Sequence, residues 1–165
     1  MSGVWGPPEL AGATQPHGYY GTPGNFTVAG MSDPDTQLKF DVMNPAGGFA
    51  TTPAAYARWL QWHELALQGA STPLPAGYVQ RIKTLSASDY AVGWQASVID
   101  GRAVLAHDGA ENGFVVTAFV EQSGALAAFV TTNTSDVISR EAASWVVDVE
   151  DSLVVTLAQP AQPTH

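Results

Sequence analysis

Residues 90–121 read YAVGWQASVIDGRAVLAHDGAENGFVVTAFVE, and the period of this stretch decides the fold. Tyr90, Val92, Trp94, Ala96 and Val98 alternate with smaller or more polar residues, the two-residue spacing of a half-buried strand. Asp100-Gly101 interrupts the alternation with the pair that a two-residue hairpin turn prefers, and 102–106 resumes it. Runs 90–99 and 102–106 are therefore expected to pair as a hairpin with His107 at a strand end. Further on, 114–121 and 125–132 are apolar at both parities around Ser123-Gly124. Two interior strands of a sheet covered on both sides are predicted there.

Upstream, the period changes to that of a helix. Thr52 is a good N-cap, Pro53 stands at the first helical position, where its missing N–H costs nothing, and Gly69 ends the run. Tyr56, Leu60, His63 and Leu67 should face inward, and Arg58, Gln61 and Gln68 should face water. A shorter helix over 76–85 is expected from Tyr78, Ile82 and Leu85. Residues 1–50, rich in Gly, Pro, Asn and Asp, show little periodicity and read as loop, unusually long for the inside of a compact domain. From Ser139, the stripe Ala142, Val146, Val149, Leu153 and Leu157 predicts a C-terminal helix, and 159–165 a disordered tail. The expected fold is α+β in a single unit: loop to 50, helical 51–88, three main antiparallel strands plus the last helix over 89–158.

Composition narrows the partners. Six Lys and Arg against fifteen Asp and Glu give a net charge of −9, which repels phosphate backbones and anionic membrane surfaces, so neither nucleic acid nor a membrane is an expected partner. The absence of cysteine excludes disulfides and thiolate chemistry. Four scattered histidines do not make a zinc site, and His63 lacks a ligand partner at i+4. No window is long and apolar enough for a membrane helix, and the first residues lack the basic-then-apolar pattern of a secretion signal. Charged residues are only 13% of the chain, against roughly 25% in an ordinary soluble domain, a first sign of a covered face.

The chemistry-bearing string is His107-Asp108-Gly109-Ala110-Glu111-Asn112-Gly113, read as a Gly-punctuated turn between two strands. On its own residues it is equally a structural turn in which Asp108 and Asn112 satisfy local N–H groups. In context it resembles a known family. Asn44-Pro-Ala-Gly-Gly-Phe-Ala-Thr-Thr-Pro53 ahead of a helix, Tyr90-Ala-Val-Gly-Trp94 on a strand, His107-Asp-Gly109 with Gly113-Phe114, and Thr132-Asn133 resemble, in that order, the C-terminal half of serine β-lactamase and penicillin-binding-protein-like hydrolases, including the class C and esterase types. The match covers residues 16–157.

The resemblance implies an acyl-transfer site for an ester, amide or β-lactam, with no cofactor. His107 would stand where many relatives carry the lysine of Lys-Thr-Gly, Gly109 would be the motif's glycine, and the Ala110 N–H would be an oxyanion donor. Asp108, Asn112, Tyr19 and Tyr20 would border the substrate, and Asp108 would repel a substrate carboxylate. His17 would belong to the loop beside the cleft. The family's Ser-x-x-Lys nucleophile is missing: Thr36 and Gln80 precede Lys39 and Lys83 by three, and no Tyr-x-Asn or Ser-x-Asn occurs. The family places both motifs before the matched stretch, so a truncated or split chain explains both absences. A periplasmic or secreted parent is what the resemblance implies.

Two other readings stay open: a non-catalytic binding or scaffold module that retains the fold, and an acid–base enzyme built on His107, Asp108 and Glu111. In the family, 125–132 is paired on its outer side by a strand absent here. The bare edge is expected to drive self-association or pairing with a complementary N-terminal half, unless 26–29 folds back as a cap. Without a nucleophile, the 165-residue chain should form no covalent adduct with fluorophosphonates or penicillins. Intact-mass spectrometry checks this, and a stoichiometric adduct on any serine would contradict it.

Overall fold

The computed structural model describes residues 3–6, 8, 12, 14–22, 24–30, 42, 46–99 and 101–134. In chain order these form β1 (Gly3–Trp5), β2 (Tyr19–Thr22), β3 (Asn25–Val28), β4 (Phe49–Thr51), α1 (Pro53–Leu67) and α2 (Ala76–Lys83). Then follow β5 (Tyr90–Ala91), β6 (Trp94–Ile99), β7 (Arg102–Glu111), β8 (Phe114–Glu121) and β9 (Ala127–Thr132). Strands β5 to β9 make one antiparallel sheet in sequence order, β1 pairs with β4, and β2 pairs with β3.

The expected α+β class is overturned. Among the described residues strand outweighs helix, the main sheet has five strands rather than three, and two helices do not amount to an all-α subdomain. The C-terminal helix expected from Ser139 and the tail lie outside the described residues. Two physical causes account for the error. The segments before Pro53 pair with partners that are distant or Gly-rich, β1 with β4 and β2 with β3, and such pairing leaves no alternation to read. The run 90–99, read as one strand, is instead split by a two-residue turn, with Val92 at φ 49° and Gly93 at φ 85° between the paired Ala91 and Trp94.

Register follows from tight turns. Ile99 faces Arg102 across Asp100-Gly101, where Gly101 has φ 77°, as the hairpin reading requires. Asn112 (φ 46°) and Gly113 (φ 78°) join Glu111 to Phe114, both left-handed as a type I′ turn demands. Eight residue pairs then link β7 to β8, from Val104↔Glu121 to Glu111↔Phe114. His107 therefore lies inside β7 and not at its end, because the turn begins at Asn112, three residues beyond the glycine at 109.

The helices cover one face of the sheet. Thr52 Oγ1 accepts the Ala55 N–H at 3.2 Å, a cap that contributes about 1 kcal/mol, and α1 buries Leu60, His63, Ala66 and Leu67 as its spacing implies. Leu60 and Leu67, with Ile82 of α2, pack with Trp94, Ala96, Leu105, Ala118 and Val120. Phe119, Val104 and Val115 point to the opposite face and are buried too, so β8 is covered on both sides. That was expected of β8; among the described residues β9 is the sheet's edge, as the absence of an outer strand implied.

Both ends of this edge are held. The outward Ala127 N–H donates to the Glu64 carboxylate of α1, and burial raises that carboxyl above its ordinary range despite the bond. At the other end the Tyr19 N–H donates to Asn133 O at 2.9 Å, with a parallel bridge from Tyr19 to Thr134. The segment weighed as an alternative cap, 26–29, pairs with β2 instead of β9, and β3 is exposed.

Val92 is a β-branched residue held in the left-handed region and half exposed. Such a residue costs roughly 1–2 kcal/mol there, and Asn tolerates the same backbone far better. Val92→Asn is therefore expected to stabilise the protein by about 1 kcal/mol in urea unfolding. A loss of stability would show that the side chain contributes packing that outweighs its strain.

Candidate functional site

Strand β7 outruns its neighbour. The last β6 pair is Gln95↔Ala106, whereas β7 continues through His107, Asp108, Gly109, Ala110 and Glu111 against β8 alone. In an antiparallel ladder the backbone groups of successive residues point to alternate sides, and a two-residue turn closes with a hydrogen-bonded pair. With Ile99↔Arg102 and Glu111↔Phe114 as closing pairs, Arg102, Val104 and Ala106 bond to β6, and His107, Gly109 and Glu111 bond to β8. The N–H and C=O groups of Asp108 and Ala110 are left facing outward past the end of β6. Both residues are exposed.

His107 stands at the head of this overhang. Its Nε2 lies 3.1 Å from the Tyr90 hydroxyl, with ring centroids 6.0 Å apart. Tyr90 pairs with Gln95 and Gln95 with Ala106, so the register brings the phenol to a row one residue short of His107. Sequence reasoning missed Tyr90 as a site residue, because only the two consecutive hairpins bring it to a histidine 17 positions away.

The remaining site residues divide. Gly109 sits in the strand where an added Cβ would meet Val116 Cγ1 at 3.2 Å, so its smallness fits the ladder. Asp108 projects from the face opposite His107, and Glu111, four residues along an extended strand, is roughly 13 Å from it. The three side chains of the acid–base reading therefore do not converge. Asn112 is buried in the turn, and its Nδ2 has no hydrogen-bond partner.

Gly18 and Tyr19 close the end of the β7–β8 hairpin. A Cβ on Gly18 would stand 1.9 Å from Asn112 O, and one on Gly113 would stand 2.4 Å from Tyr19 N, so the two backbones touch only because both positions are glycine. Asn133 Nδ2 donates to His17 O at 3.1 Å and fastens the same segment. Tyr19 thus reaches the site end through its backbone, while the exposed Tyr20 is turned outward. Among the described residues no group of three or more His, Cys, Asp or Glu could hold a metal ion.

No family model, curated protein or solved structure matches this chain.

Gly113→Ala should strain a left-handed turn and push against Tyr19 at once. A loss of about 1–3 kcal/mol in stability is expected, together with loss of the Tyr19–Asn133 contact in amide NMR. An unchanged Tyr19 amide in this variant would show that the close approach is not required.

Proposed function

We propose that this chain supplies the strand-borne half of an acyl-transfer site in a β-lactamase-like serine hydrolase. The observation that carries the reading is the five-residue overhang of β7, which begins at His107 and leaves the Asp108 and Ala110 backbone groups without a strand partner among the described residues. An acyl substrate lying along that edge would pair with it as an added strand does, with the scissile carbonyl on the Ala110 N–H. His107, hydrogen-bonded to Tyr90, would then sit next to the reacting hydroxyl network. The orphaned Asn112 Nδ2 is a further donor suited to a substrate oxygen. The nucleophile has to come from residues outside these 165, since no Ser-x-x-Lys occurs among them. The isolated chain binds but does not turn over.

The charge pattern selects the substrate class. Asp108 is exposed at the edge and the chain carries −9 overall, so an ester or amide without an adjacent anion is favoured over a carboxylate-bearing one. The absence of Ser-x-x-Lys also favours a second reading, a non-catalytic module that uses the same edge to hold an extended peptide. Both predict binding at β7, and only the first predicts selectivity for esters over matched peptides.

Titration with an uncharged N-acetylated alanine ester and the matched amide, followed by backbone NMR, should shift Asp108 and Ala110 most. Ala110→Pro deletes the donor and should abolish those shifts. Asp108→Asn should tighten the matching free acid about fivefold, the effect of removing roughly 1 kcal/mol of exposed repulsion, without changing the ester. Shifts that avoid 107–111 would overturn the assignment of the edge.

A further inference from the structure

His63 is fully buried on α1, and its hydrogen bonds assign every proton around it. Nδ1 lies 2.8 Å from the carbonyl oxygen of Trp59, which can only accept, so Nδ1 carries the ring proton. Nε2 lies 2.7 Å from the Tyr78 hydroxyl of α2. That hydroxyl oxygen is also 2.7 Å from Trp94 Nε1 of β6, which can only donate. The Tyr78 oxygen therefore accepts from Trp94, and its own hydrogen points at Nε2. One neutral tautomer of His63 completes the joint between both helices and the sheet. Trp59 stacks on Trp94 at 5.6 Å, and both indoles meet the imidazole edge-on, at 4.3 Å and 5.4 Å.

A second ring proton has no place in this arrangement. It would set the Nε2–H against the Tyr78 O–H, and the hydroxyl could accept from both rings only by turning its hydrogen away from any acceptor in the joint. Among the described residues no anion offsets the new charge. Glu64, the neighbouring residue on α1, accepts from Ala127 at the sheet edge, and Glu121 is engaged by Arg102. On α2 the titratable group at the ring is Tyr78 itself, and Arg81 and Lys83 are exposed. Among the described residues β6 brings the uncharged Trp94 to the ring.

We propose that His63 is an acid-operated latch: protonation breaks the Tyr78–Trp94 joint and loosens the helical layer from the sheet. The effect reaches the β7 overhang through a short path. Trp94 is the residue that pairs with Ala91 in the two-residue strand β5, and the adjacent Tyr90 holds His107. Release of Trp94 therefore frees Tyr90 and the His107 ring with it. This latch stands on the buried joint alone and holds whether or not the edge performs acyl transfer.

Burial lowers the His63 pKa below 6.5 and outweighs the bond to Trp59, which acts in the opposite direction. Because the unfolded chain binds the proton more readily, the neutral joint contributes its full stability above about pH 6.5, and the contribution falls as pH drops below that. The test follows the His63 ring signals and the Trp94 indole N–H by NMR from pH 7.5 to 4.5. The expected result is a single His63 transition below pH 6.5, accompanied by displacement of the Trp94 signal and faster exchange of β5 and β6 amides. His63→Gln, which keeps a donor and an acceptor but does not titrate, should flatten the Trp94 response. Tyr78→Phe removes the hydrogen aimed at Nε2 and should move the His63 transition to higher pH. A Trp94 signal that stays fixed while His63 titrates in the unmodified chain would overturn the latch, as would an unchanged acid response in His63→Gln.

Discussion

The eight-pair ladder between β7 and β8 is the constraint on which the rest of the molecule depends. A strand slipped by one residue exposes everything it had buried, so the register must be set by something stronger than packing alone. Here turn chemistry sets it, through Asp100-Gly101 at one end of β7 and the left-handed Asn112-Gly113 pair at the other. With that register Leu105 meets Ala96 and Val120 beneath the helices, and Phe119 and Val104 fill the other face. The same parity sends the Asp108 and Ala110 backbone groups to the open side. Core and candidate site are thus two consequences of one alignment.

Around the ladder the helices are held by the apolar core they share with the sheet, and polar contacts add directional ties. The helices are also tied to the sheet by the His63–Tyr78–Trp94 joint and by Gln122 Nε2, which donates to the carbonyl of Ile82 in the last turn of α2 and to that of Leu85 just beyond it. The N-terminal hairpin is tied by backbone bonds to Asn133 and by glycine contacts at 18 and 113. Each of these polar ties is short and directional.

The charge distribution favours particular chemistry. Arg102 is spent on Glu121 at the start of β7, far from the overhang. The overhang itself carries Asp108 on one face and His107, in hydrogen-bond contact with Tyr90, on the other, and the chain has only six Lys and Arg side chains. The backbone N–H dipoles of the overhang need no counter-ion, and they hold their geometry because the ladder holds theirs.

Several features could be read from single residues. Thr52, Pro53 and Gly69 bounded α1, its apolar stripe named the buried face, and Asp100-Gly101 named the hairpin, because caps and two-residue turns are decided by neighbours within four positions. The His107-Asp108-Gly109 motif could be located but not its conformation, since a glycine reads as a turn whether or not the strand continues through it. Val92 could not have been foreseen in a turn, because its own propensity is for strand and only the pairing of Ala91 with Trp94 outweighs that. The small pairs before Pro53, the contact of Tyr90 with His107 and the seat of Gly18 on Asn112 join residues far apart in the chain. Sequence determined where the chain turns and which residues prefer the interior. Tertiary structure alone decided which strand edge stays open and which side chains meet there, because that depends on where each neighbouring strand ends.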